Sequence, residues 1–276
     1  MSEIKKVFIT VKTYPTLSTK YDELVCTAGV LEDGSWIRIY PVPFRKLDYQ
    51  NQYSKYQWME LPLEKNTSDP RPESFRLTDI DRIKLLEKVG TANDWEERRR
   101  LILNRSKVYT NLTDLIQRAK DNELSLAVFK PQQIVDFKWE FIGREWPKEK
   151  LEKVEQKSMQ PSLFDNPQER KYIFSVVKKL PYKFSYKIKD SDGKESTMMI
   201  EDWEIGALYW NCLKDSDGDE PVAIEKVKEK YMDTFLNNNE LYLFLGTTRQ
   251  FHGWATNPFL IIGVFYPPIQ TQPTLF

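Results

Sequence analysis

Alternating apolar positions along the first third of the chain predict β-strands. Residues 7 to 11 alternate apolar and other side chains, as a strand with one buried face requires. Residues 24 to 31 and 36 to 40 are apolar runs separated by Asp33-Gly34, which predicts a hairpin across a tight turn. A further strand is predicted over residues 56 to 63. The N-terminal third is therefore expected to be rich in sheet.

Helical spacing of apolar residues begins after this region and is mixed with further strands. Helices are predicted over residues 94–104, around Leu115 with Asn111 or Thr113 as the N-cap, and over residues 147–158, 201–213 and about 221–236. Strands are predicted over residues 124–129, 134–141, 182–189, 196–200, 241–245 and 259–265. The pattern predicts an α+β fold with mixed or antiparallel sheets and several helices.

Composition along the chain suggests four segments. Residues 1–158 are predicted to form a sheet-rich N-terminal part with a helical middle, and residues 172–268 an α+β C-terminal part. Between them, residues 159–171 mix Pro, Ser, Asp, Asn and Gln, which is typical of a linker or long loop. Residues 269–276 form a tail behind Pro267-Pro268, a pair that stiffens its exit. The two larger parts can be one fused domain or two.

Charge and cysteine content narrow the class of protein. The chain has 41 basic and 41 acidic residues, so no overall field attracts it to nucleic acid or to an anionic membrane, and nucleic-acid contacts must be local. Two cysteines in 276 residues do not indicate a disulfide framework. No apolar run has the length of a secretory signal or a membrane span, so a cytoplasmic protein without membrane contact is expected.

A short peptide occurs twice. Residues 160–164 read Gln-Pro-Ser-Leu-Phe and residues 272–276 read Gln-Pro-Thr-Leu-Phe, so the copies differ by one methyl group. Both resemble the bacterial sliding-clamp-binding motif, in which a leading Gln hydrogen-bonds in the clamp groove and a Leu-Phe pair fills an apolar pocket. The resemblance implies a bacterial sliding clamp as partner, and it assigns these contacts to Gln160, Leu163, Phe164, Gln272, Leu275 and Phe276.

The peptides depart from that motif at their second position, where Pro161 and Pro273 replace the usual Leu. Proline loses an apolar contact but stiffens an extended peptide and so lowers its ordering entropy. Burial of one Leu and one Phe contributes roughly 3 to 6 kcal/mol before binding entropy is subtracted, so one copy is expected to bind weakly. Two copies can act together on a ring with one pocket per subunit. The alternative is that each Leu-Phe pair packs on the protein's own surface.

Acidic residues and a histidine are the candidates for catalysis. Asp202 and Glu204 stand at a predicted strand–helix junction, where carboxylates can bind magnesium or act as general acid and base. The competing interpretation is an acidic helix N-terminus, stabilised by the helix dipole. His252 is the only histidine, so multi-histidine metal sites are excluded. Cys26 can pair with it as a nucleophile, but its apolar neighbours favour a core position.

Two regions are candidates for nucleic-acid contact. The segment 247–254 lies between two predicted strands and carries Arg249, Phe251 and Trp254, which can stack on and hydrogen-bond a base; an aromatic-pinned surface loop is the alternative. Lys12 and Arg38, with several tyrosines, surround the predicted N-terminal hairpin, where a nucleotide pocket is conceivable. The same N-terminal run is similar to prokaryotic proteins from which no function carries over.

The common cofactor motifs do not occur. The sequence has no Gly-rich phosphate loop, no Cys-x-x-Cys pair and no Gly-x-Ser-x-Gly elbow, so neither cofactor nor metal is predicted. The leading hypothesis is a DNA-metabolism or genome-defence accessory protein that is recruited by the sliding clamp and recognises nucleic acid. The alternative is an enzyme acting on DNA or nucleotides, such as a nuclease or base-processing hydrolase.

Overall fold

The computed structural model describes residues 2–18, 22–42, 44, 47, 52–158 and 177–270. Its strands are β1 (Glu3–Lys12), β2 (Thr16–Ser18), β3 (Asp22–Leu31), β4 (Trp36–Val42), β5 (Gln57–Lys65), β6 (Ser74–Leu77), β7 (Lys84–Lys88), β8 (Val108–Tyr109), β9 (Leu126–Phe129), β10 (Gln133–Phe141), β11 (Tyr182–Lys189), β12 (Glu195–Met199), β13 (Tyr242–Thr247) and β14 (Phe259–Phe265). Its helices are α1 (Ala92–Ile102), α2 (Leu112–Lys120), α3 (Lys148–Ser158), α4 (Trp203–Lys214) and α5 (Glu220–Glu229), and α5 continues into a π-helical turn, Lys230–Thr234. The fold is α+β, as the sequence predicts.

The N-terminal strands form one sheet whose pairings return to their starting strand. The order is β1-β3-β4-β6-β5, and β5 pairs with β1 again, while β2 adds to β3 and β7 adds to β5. Period-2 alternation sends Val7 and Ile9 to one apolar cluster and Phe8 to another. Each face of this sheet therefore packs in its own apolar cluster.

The remaining strands form two smaller, mainly antiparallel sheets, each of which joins distant parts of the chain. One sheet has the order β10-β11-β12, and the other has the order β14-β13-β9-β8 with only β8 and β9 parallel. Strands β9 and β10 precede residues 159–171, yet they pair with β13 and β11, which follow that segment. Residues 1–158 and 172–268 therefore share two sheets.

A core cluster joins the first sheet to the β13–β14 sheet. Phe8 and Val30 of the first sheet pack with Val128, Phe244 and Phe265 of the second. Phe244 is fully buried, and its ring centroid lies 5.6 Å from that of Trp36. The two sheets thus form a continuous apolar layer, at whose edge the cavity described below lies.

Most predicted elements are confirmed to within a few residues. The hairpin around Asp33-Gly34, α2 with Asn111 as N-cap, α3, the β11–β12 hairpin, α4 and the final two strands all occur where the pattern places them. Four strands were missed by the sequence pattern, namely β2, β6, β7 and β8. Strand β4 extends two residues beyond the predicted end at residue 40, to Val42, which pairs with Val25.

Two predicted features fall outside the described residues. Both clamp-like peptides, residues 160–164 and 272–276, lie there. Pro267 and Pro268 are described: the carbonyl of Pro267 accepts from Glu240 N, and Pro268 lies opposite Asn239 in an antiparallel bridge. No helix within the described ranges is long and apolar enough to cross a membrane.

We expect Phe244→Ala to lower the free energy of unfolding by about 3 to 5 kcal/mol, because it opens a void in the layer that joins the two sheets. Urea unfolding monitored by far-UV circular dichroism and by tryptophan fluorescence measures this change. Both signals should shift together.

Phe251→Ala is the matched control, because the Phe251 side chain is exposed on the β13–β14 loop and its removal should cost no more than about 0.5 kcal/mol. An unchanged midpoint in either signal for Phe244→Ala would contradict the shared core.

Candidate nucleic-acid interface

A cavity of about 380 Å³ lies between the N-terminal sheet and the β13–β14 sheet. Its polar lining includes Arg38, Arg71, Asp69, Glu201 and Cys26. Its other walls contain Thr13, Tyr14, Thr16, Tyr40, Pro41, Asn66, Ser68, Gly246, Thr247, Thr248, Arg249, Leu260 and Ile262. The volume is within the range of roughly 300–1,000 Å³ that is usual for small-molecule pockets.

Arg38 is the most deeply buried charge of this cavity. Its Nη1 donates to Ser125 Oγ at 2.5 Å, and its Nη2 donates to the carbonyl oxygens of Ser125 and Thr247 at 3.1 and 3.3 Å. Among the described residues, no carboxylate forms an ion pair with Arg38, and its Nε has no hydrogen-bond partner. Burial lowers the pKa of the guanidinium, although an arginine stays charged at neutral pH.

Arg71 reaches the same backbone carbonyl from the loop after β5. Its Nη1 donates to Thr247 O at 2.5 Å, while Nη2 and Nε bind the Asp69 carboxylate at 2.6 and 2.9 Å. Burial alone raises the pKa of Asp69, but the hydrogen bonds from Arg71 and Ser74 prevail and lower it to about 2. Asp69 and Arg71 therefore form a neutral pair, whereas Arg38 has no direct ion pair among the described residues and is attracted at longer range by Glu73 and Asp69.

Glu201 adds a carboxylate residue to the lining of the cavity. Its backbone is fixed between strands, since its N–H donates to Ile261 O at 2.8 Å and its carbonyl accepts from Tyr14 N at 3.0 Å. Burial raises the pKa of the Glu201 carboxyl above its ordinary value of 4.5. Within the described parts of the chain, no side chain forms a hydrogen bond or ion pair with this carboxyl.

The loop between β13 and β14 carries aromatic side chains beside the cavity. Thr248 and Arg249, at its start, line the cavity wall. Beyond them, the Trp254 side chain is 67% exposed and that of Phe251 is 40% exposed, with their ring centroids 5.6 Å apart. Arg249 is exposed as well, and in the described ranges it has no carboxylate within ion-pair distance. The predicted base-stacking segment therefore presents its rings to solvent.

His252 anchors this loop. Its Nδ1 accepts from the Thr247 hydroxyl at 3.0 Å, and its Nε2 donates to Asn122 Oδ1 at 2.8 Å, which is the arrangement of a neutral imidazole. Burial, followed by repulsion from Arg71 and Arg38, lowers the pKa of His252 below its ordinary value of 6.5. At neutral pH both ring nitrogens of His252 are therefore used in hydrogen bonds that hold the loop in place.

The predicted catalytic residues lie in different places. Asp202 is fully buried as the N-cap of α4, where it accepts from Glu204 N and Val264 N, both at 3.3 Å, and from Lys55 Nζ at 3.2 Å. Burial raises the pKa of Asp202 to about 6, against the attraction of Lys55. Glu204 is half exposed and binds the same ammonium at 2.9 Å. Neither they nor His252 line the cavity, so the geometry assembles no joint centre from the three.

Lys12 also lies away from the cavity. Its Nζ is 4.0 Å from the ring centroid of Phe44 and 4.3 Å from that of Trp203. Burial, and then repulsion by Lys55, lowers the pKa of Lys12 to about 8. Of the five predicted nucleic-acid contacts, Arg38 and Arg249 line the cavity, Phe251 and Trp254 lie on the loop that continues from Arg249, and Lys12 lies apart.

Three charged residues of the cavity were missed from sequence. Glu201 was predicted as the first residue of a helix. In the structure β12 ends at Met199 and α4 begins at Trp203, so Glu201 lies in the connection between them. Asp69 and Arg71 have the spacing of a side-chain turn, in which the carboxylate accepts from a backbone N–H two residues on, and this was the available signal. Cys26 lines the cavity and is partly exposed, contrary to the expected core position.

Among the described residues, no group of three or more His, Cys, Asp or Glu side chains has the geometry of a metal site. The candidate interface is thus a polar cavity with an exposed aromatic loop at its edge.

We expect acidification to weaken the contribution of His252 to stability. An unfolded histidine gains a proton as the pH falls through about 6.5, whereas the folded one resists protonation, so the stability it provides is present above that pH and is lost below it. The difference in unfolding free energy between the native chain and His252→Gln should therefore shrink from pH 7.5 to pH 5.5, measured by urea denaturation.

Asn122→Ala is the control, because it removes one hydrogen-bond partner but keeps the titrating imidazole. It should retain the dependence on pH. A difference for His252→Gln that is constant across this range would exclude the role assigned to the ring.

Comparison with known families divides the chain at a single point. Residues 3–104 are similar to the family model described as Domain of unknown function (DUF8758). Residues 105–276 match the model described as Domain of unknown function (DUF8757). No curated protein matches the chain. Because the second match covers more than half of its residues, the chain belongs to the DUF8757 family.

Proposed function

We propose that this chain is an accessory protein of DNA metabolism or genome defence that recognises nucleic acid and is brought to DNA by the sliding clamp. In this proposal the cavity receives one base, and the β13–β14 loop stacks on its neighbours. The observation that carries the proposal is a cavity lined by arginines and continued, beyond Arg249, by a loop that exposes the rings of Phe251 and Trp254.

The arginine at the edge of the cavity favours a ligand that carries hydrogen-bond acceptors. Arg249 lines the cavity, is exposed and has no carboxylate within ion-pair distance in the described ranges, so its donors are open to such a ligand. Nucleobases have ring nitrogens and carbonyl oxygens that serve this purpose, and arginine is the usual residue that contacts them.

The loop favours a nucleic acid over a free small molecule. Exposed rings have no role in holding a ligand inside the cavity, but every base has a face on which Phe251 and Trp254 can stack. Arg249 at the same rim can contact a phosphate, which is the contact that sets position on a strand. Local contacts of this kind also suit a chain whose formal net charge is zero.

An enzymatic role has less support. Asp202 is a helix cap in a buried ion pair, Glu204 is its solvent-side neighbour, and His252 is neutral with both ring nitrogens bonded. General acid–base catalysis needs a group within reach of the reacting atom. Glu201 alone combines a raised pKa with a position on the cavity wall.

The two Gln-Pro-Ser/Thr-Leu-Phe peptides support recruitment by the clamp. Weak affinity from each copy suits a protein that samples DNA transiently, and a ring with several pockets lets a second copy bind at a high effective concentration. Docking would place the chain on DNA, while the cavity and loop would select what it holds there.

We expect Trp254→Ala to weaken binding to single-stranded oligonucleotides by about 5- to 150-fold, because one stacked base contributes roughly 1 to 3 kcal/mol. Fluorescence anisotropy with labelled DNA and RNA strands, and with duplexes of the same sequence, measures the change. Phe251→Ala should act in the same direction.

Trp139→Ala is the matched control, since Trp139 is 40% exposed on β10, away from the cavity wall. It should leave the affinity unchanged. Equal loss in the two tryptophan variants, or no binding by the native chain to any of these strands, would refute recognition through the loop.

We expect the chain to bind purified bacterial sliding clamp and to lose that binding when Leu163, Phe164, Leu275 and Phe276 are all replaced by alanine. Each pair provides the apolar burial on which docking depends. Surface plasmon resonance with immobilised clamp measures the affinity of the native chain and of each double variant. If both copies engage one ring, each double variant should lose more than the twofold that a simple halving of sites produces.

Pro161→Ala with Pro273→Ala serves as the control, because it retains every anchor that the motif resemblance assigns. It should bind with at most a modest loss. Undiminished binding after removal of all four apolar anchors would show that these peptides do not dock on the clamp.

A further inference from the structure

The side chain of Lys12 ends among aromatic rings. Lys12 is the last residue of β1, and its Nζ lies 4.0 Å from the ring centroid of Phe44, 4.3 Å from that of Trp203 and 6.0 Å from that of Tyr53. The Phe44 ring packs edge-on with the other two, at centroid distances of 4.9 Å to Tyr53 and 5.4 Å to Trp203. The amino group therefore faces ring carbons where an exposed lysine faces water.

No acceptor is bonded to this amino group within the described chain. Lys12 Nζ forms neither a hydrogen bond nor an ion pair with any described residue. The side chain is half-buried, and its Nζ keeps accessible surface, in contrast to the buried and unpartnered Nε of Arg38. A small molecule in solution can therefore reach the nitrogen.

The charged groups around Lys12 are already paired with each other. Lys55 Nζ binds Asp202 at 3.2 Å and Glu204 at 2.9 Å, so this second ammonium holds both nearby carboxylates. Tyr53 stays neutral, because burial raises the pKa of its phenol. Burial of Lys12, and then repulsion from Lys55, disfavours a charged amine and outweighs the attraction of the two carboxylates.

The consequence is a free amine near neutral pH. The pKa of Lys12 is lowered to about 8, so about 20% of it is unprotonated at pH 7.4, against about 0.1% of an unperturbed lysine. Only the unprotonated nitrogen has the lone pair that attacks a carbon electrophile. Lysines that are desolvated, or that lie next to another cation, are the ones that form covalent bonds with carbonyl compounds.

We propose that Lys12 is a covalent binding site for aldehydes that carry an aromatic or apolar group. The Nζ lone pair attacks the carbonyl carbon to form a C–N bond, and the carbonyl oxygen takes up a proton. The resulting carbinolamine loses water, whose oxygen comes from the aldehyde, and leaves a C=N imine. Phe44 and Trp203 supply the surface on which an aromatic group can pack. Lys12, Phe44 and Trp203 do not line the cavity, so this site is independent of the proposed function.

Lys6 is the matched comparison within the same strand. Its Nζ lies 4.9 Å from the ring centroid of Trp58, so it too contacts an aromatic ring, but it also lies 3.5 Å from the Glu32 carboxylate. A carboxylate partner favours the charged form of an amine. Lys6 thus has the ring contact of Lys12 without its isolation from carboxylates.

Treatment of the full chain with benzaldehyde and cyanoborohydride at pH 7.4 tests the site, since the reductant converts each imine to a stable secondary amine that peptide mass spectrometry locates. Lys12 should be labelled at least about tenfold faster than Lys6. Lys12→Arg should remove the fastest-reacting position from the time course of intact mass. Labelling of Lys12 no faster than that of Lys6, or an unchanged fast phase in Lys12→Arg, would overturn the proposal.

Competitive acetylation with acetic anhydride between pH 6.5 and pH 10 tests the free amine separately from the imine. Lys12 should reach its full rate by about pH 9, whereas amines with the ordinary lysine pKa of about 10.4 still gain rate at pH 10. The rate of Lys12 relative to the average of the other lysine peptides should therefore fall as the pH rises. Parallel profiles would count against a nucleophilic Lys12.

Glu204→Gln tests the electrostatic origin of the reactivity. It removes one of the charges that favour the ammonium, so it should lower the pKa of Lys12 further and raise its acetylation rate at pH 7 by about twofold. Glu149→Gln, on the exposed Glu149–Lys153 pair of α3, is the matched control and should leave that rate unchanged. A rate that falls or stays constant in Glu204→Gln would contradict the proposal.

Acetaldehyde in place of benzaldehyde tests the class of ligand. The ratio of labelling at Lys12 to that at Lys153, which is exposed on α3, should be at least about threefold higher with benzaldehyde, because its ring can pack on Phe44 and Trp203. Equal ratios for the two aldehydes would refute the preference for an aromatic group.

Discussion

The buried guanidinium of Arg38 is the interaction on which the arrangement of the two sheets depends. The side chain extends from β4 to Ser125, which precedes β9, and to Thr247, the last residue of β13. One side chain of the first sheet is therefore bonded at two neighbouring strands of the second. Glu73 braces Ser125 with hydrogen bonds of 2.6 Å to its hydroxyl and 2.8 Å to its N–H. A charge held this firmly cannot turn toward solvent. The position of the cavity and the polarity of its wall both follow from that constraint.

Arginine suits this position better than lysine because its planar fork bonds in several directions at once. Two of its nitrogens fix the sheets, and the third, Nε, is buried without a hydrogen-bond partner among the described residues. Arg71 and Asp69 add a second, neutral connection to the same carbonyl oxygen. The cavity is therefore rigid on its donor side, and rigidity of this kind reduces the entropy lost when a ligand binds.

Much of the fold could be predicted from apolar spacing, and the exceptions have physical causes. The β11–β12 hairpin and α4 follow from local periodicity, turn residues and a capping Asp. Strands β2, β6 and β8 have 3, 4 and 2 residues, which is too short for an alternation of apolar and polar positions to show. Strand β7 is mostly exposed and charged, with too few buried positions for alternation to reveal it.

The residues of the candidate site also differ in whether the sequence could predict them. Phe251 and Trp254 were recognisable because aromatic residues beside an arginine between two strands are conspicuous. Glu201 was not, because the strand-to-helix junction rotates the chain so that Glu201 faces the cavity while Asp202 caps α4 and bonds to Lys55. Adjacent carboxylates in the sequence thus take unrelated roles. Their separation depends on where β12 ends, and residue spacing alone does not specify that point.

Thr247 connects the cavity and the loop through different parts of one residue. Its backbone carbonyl receives Arg38 and Arg71, whereas its hydroxyl binds His252. A carbonyl oxygen is present whichever amino acid occupies the position, so the arginine contacts place no demand on the identity of residue 247. Across homologues, Arg38 and Arg71 are therefore expected to vary independently of residue 247, while a hydroxyl there should covary with the imidazole at position 252.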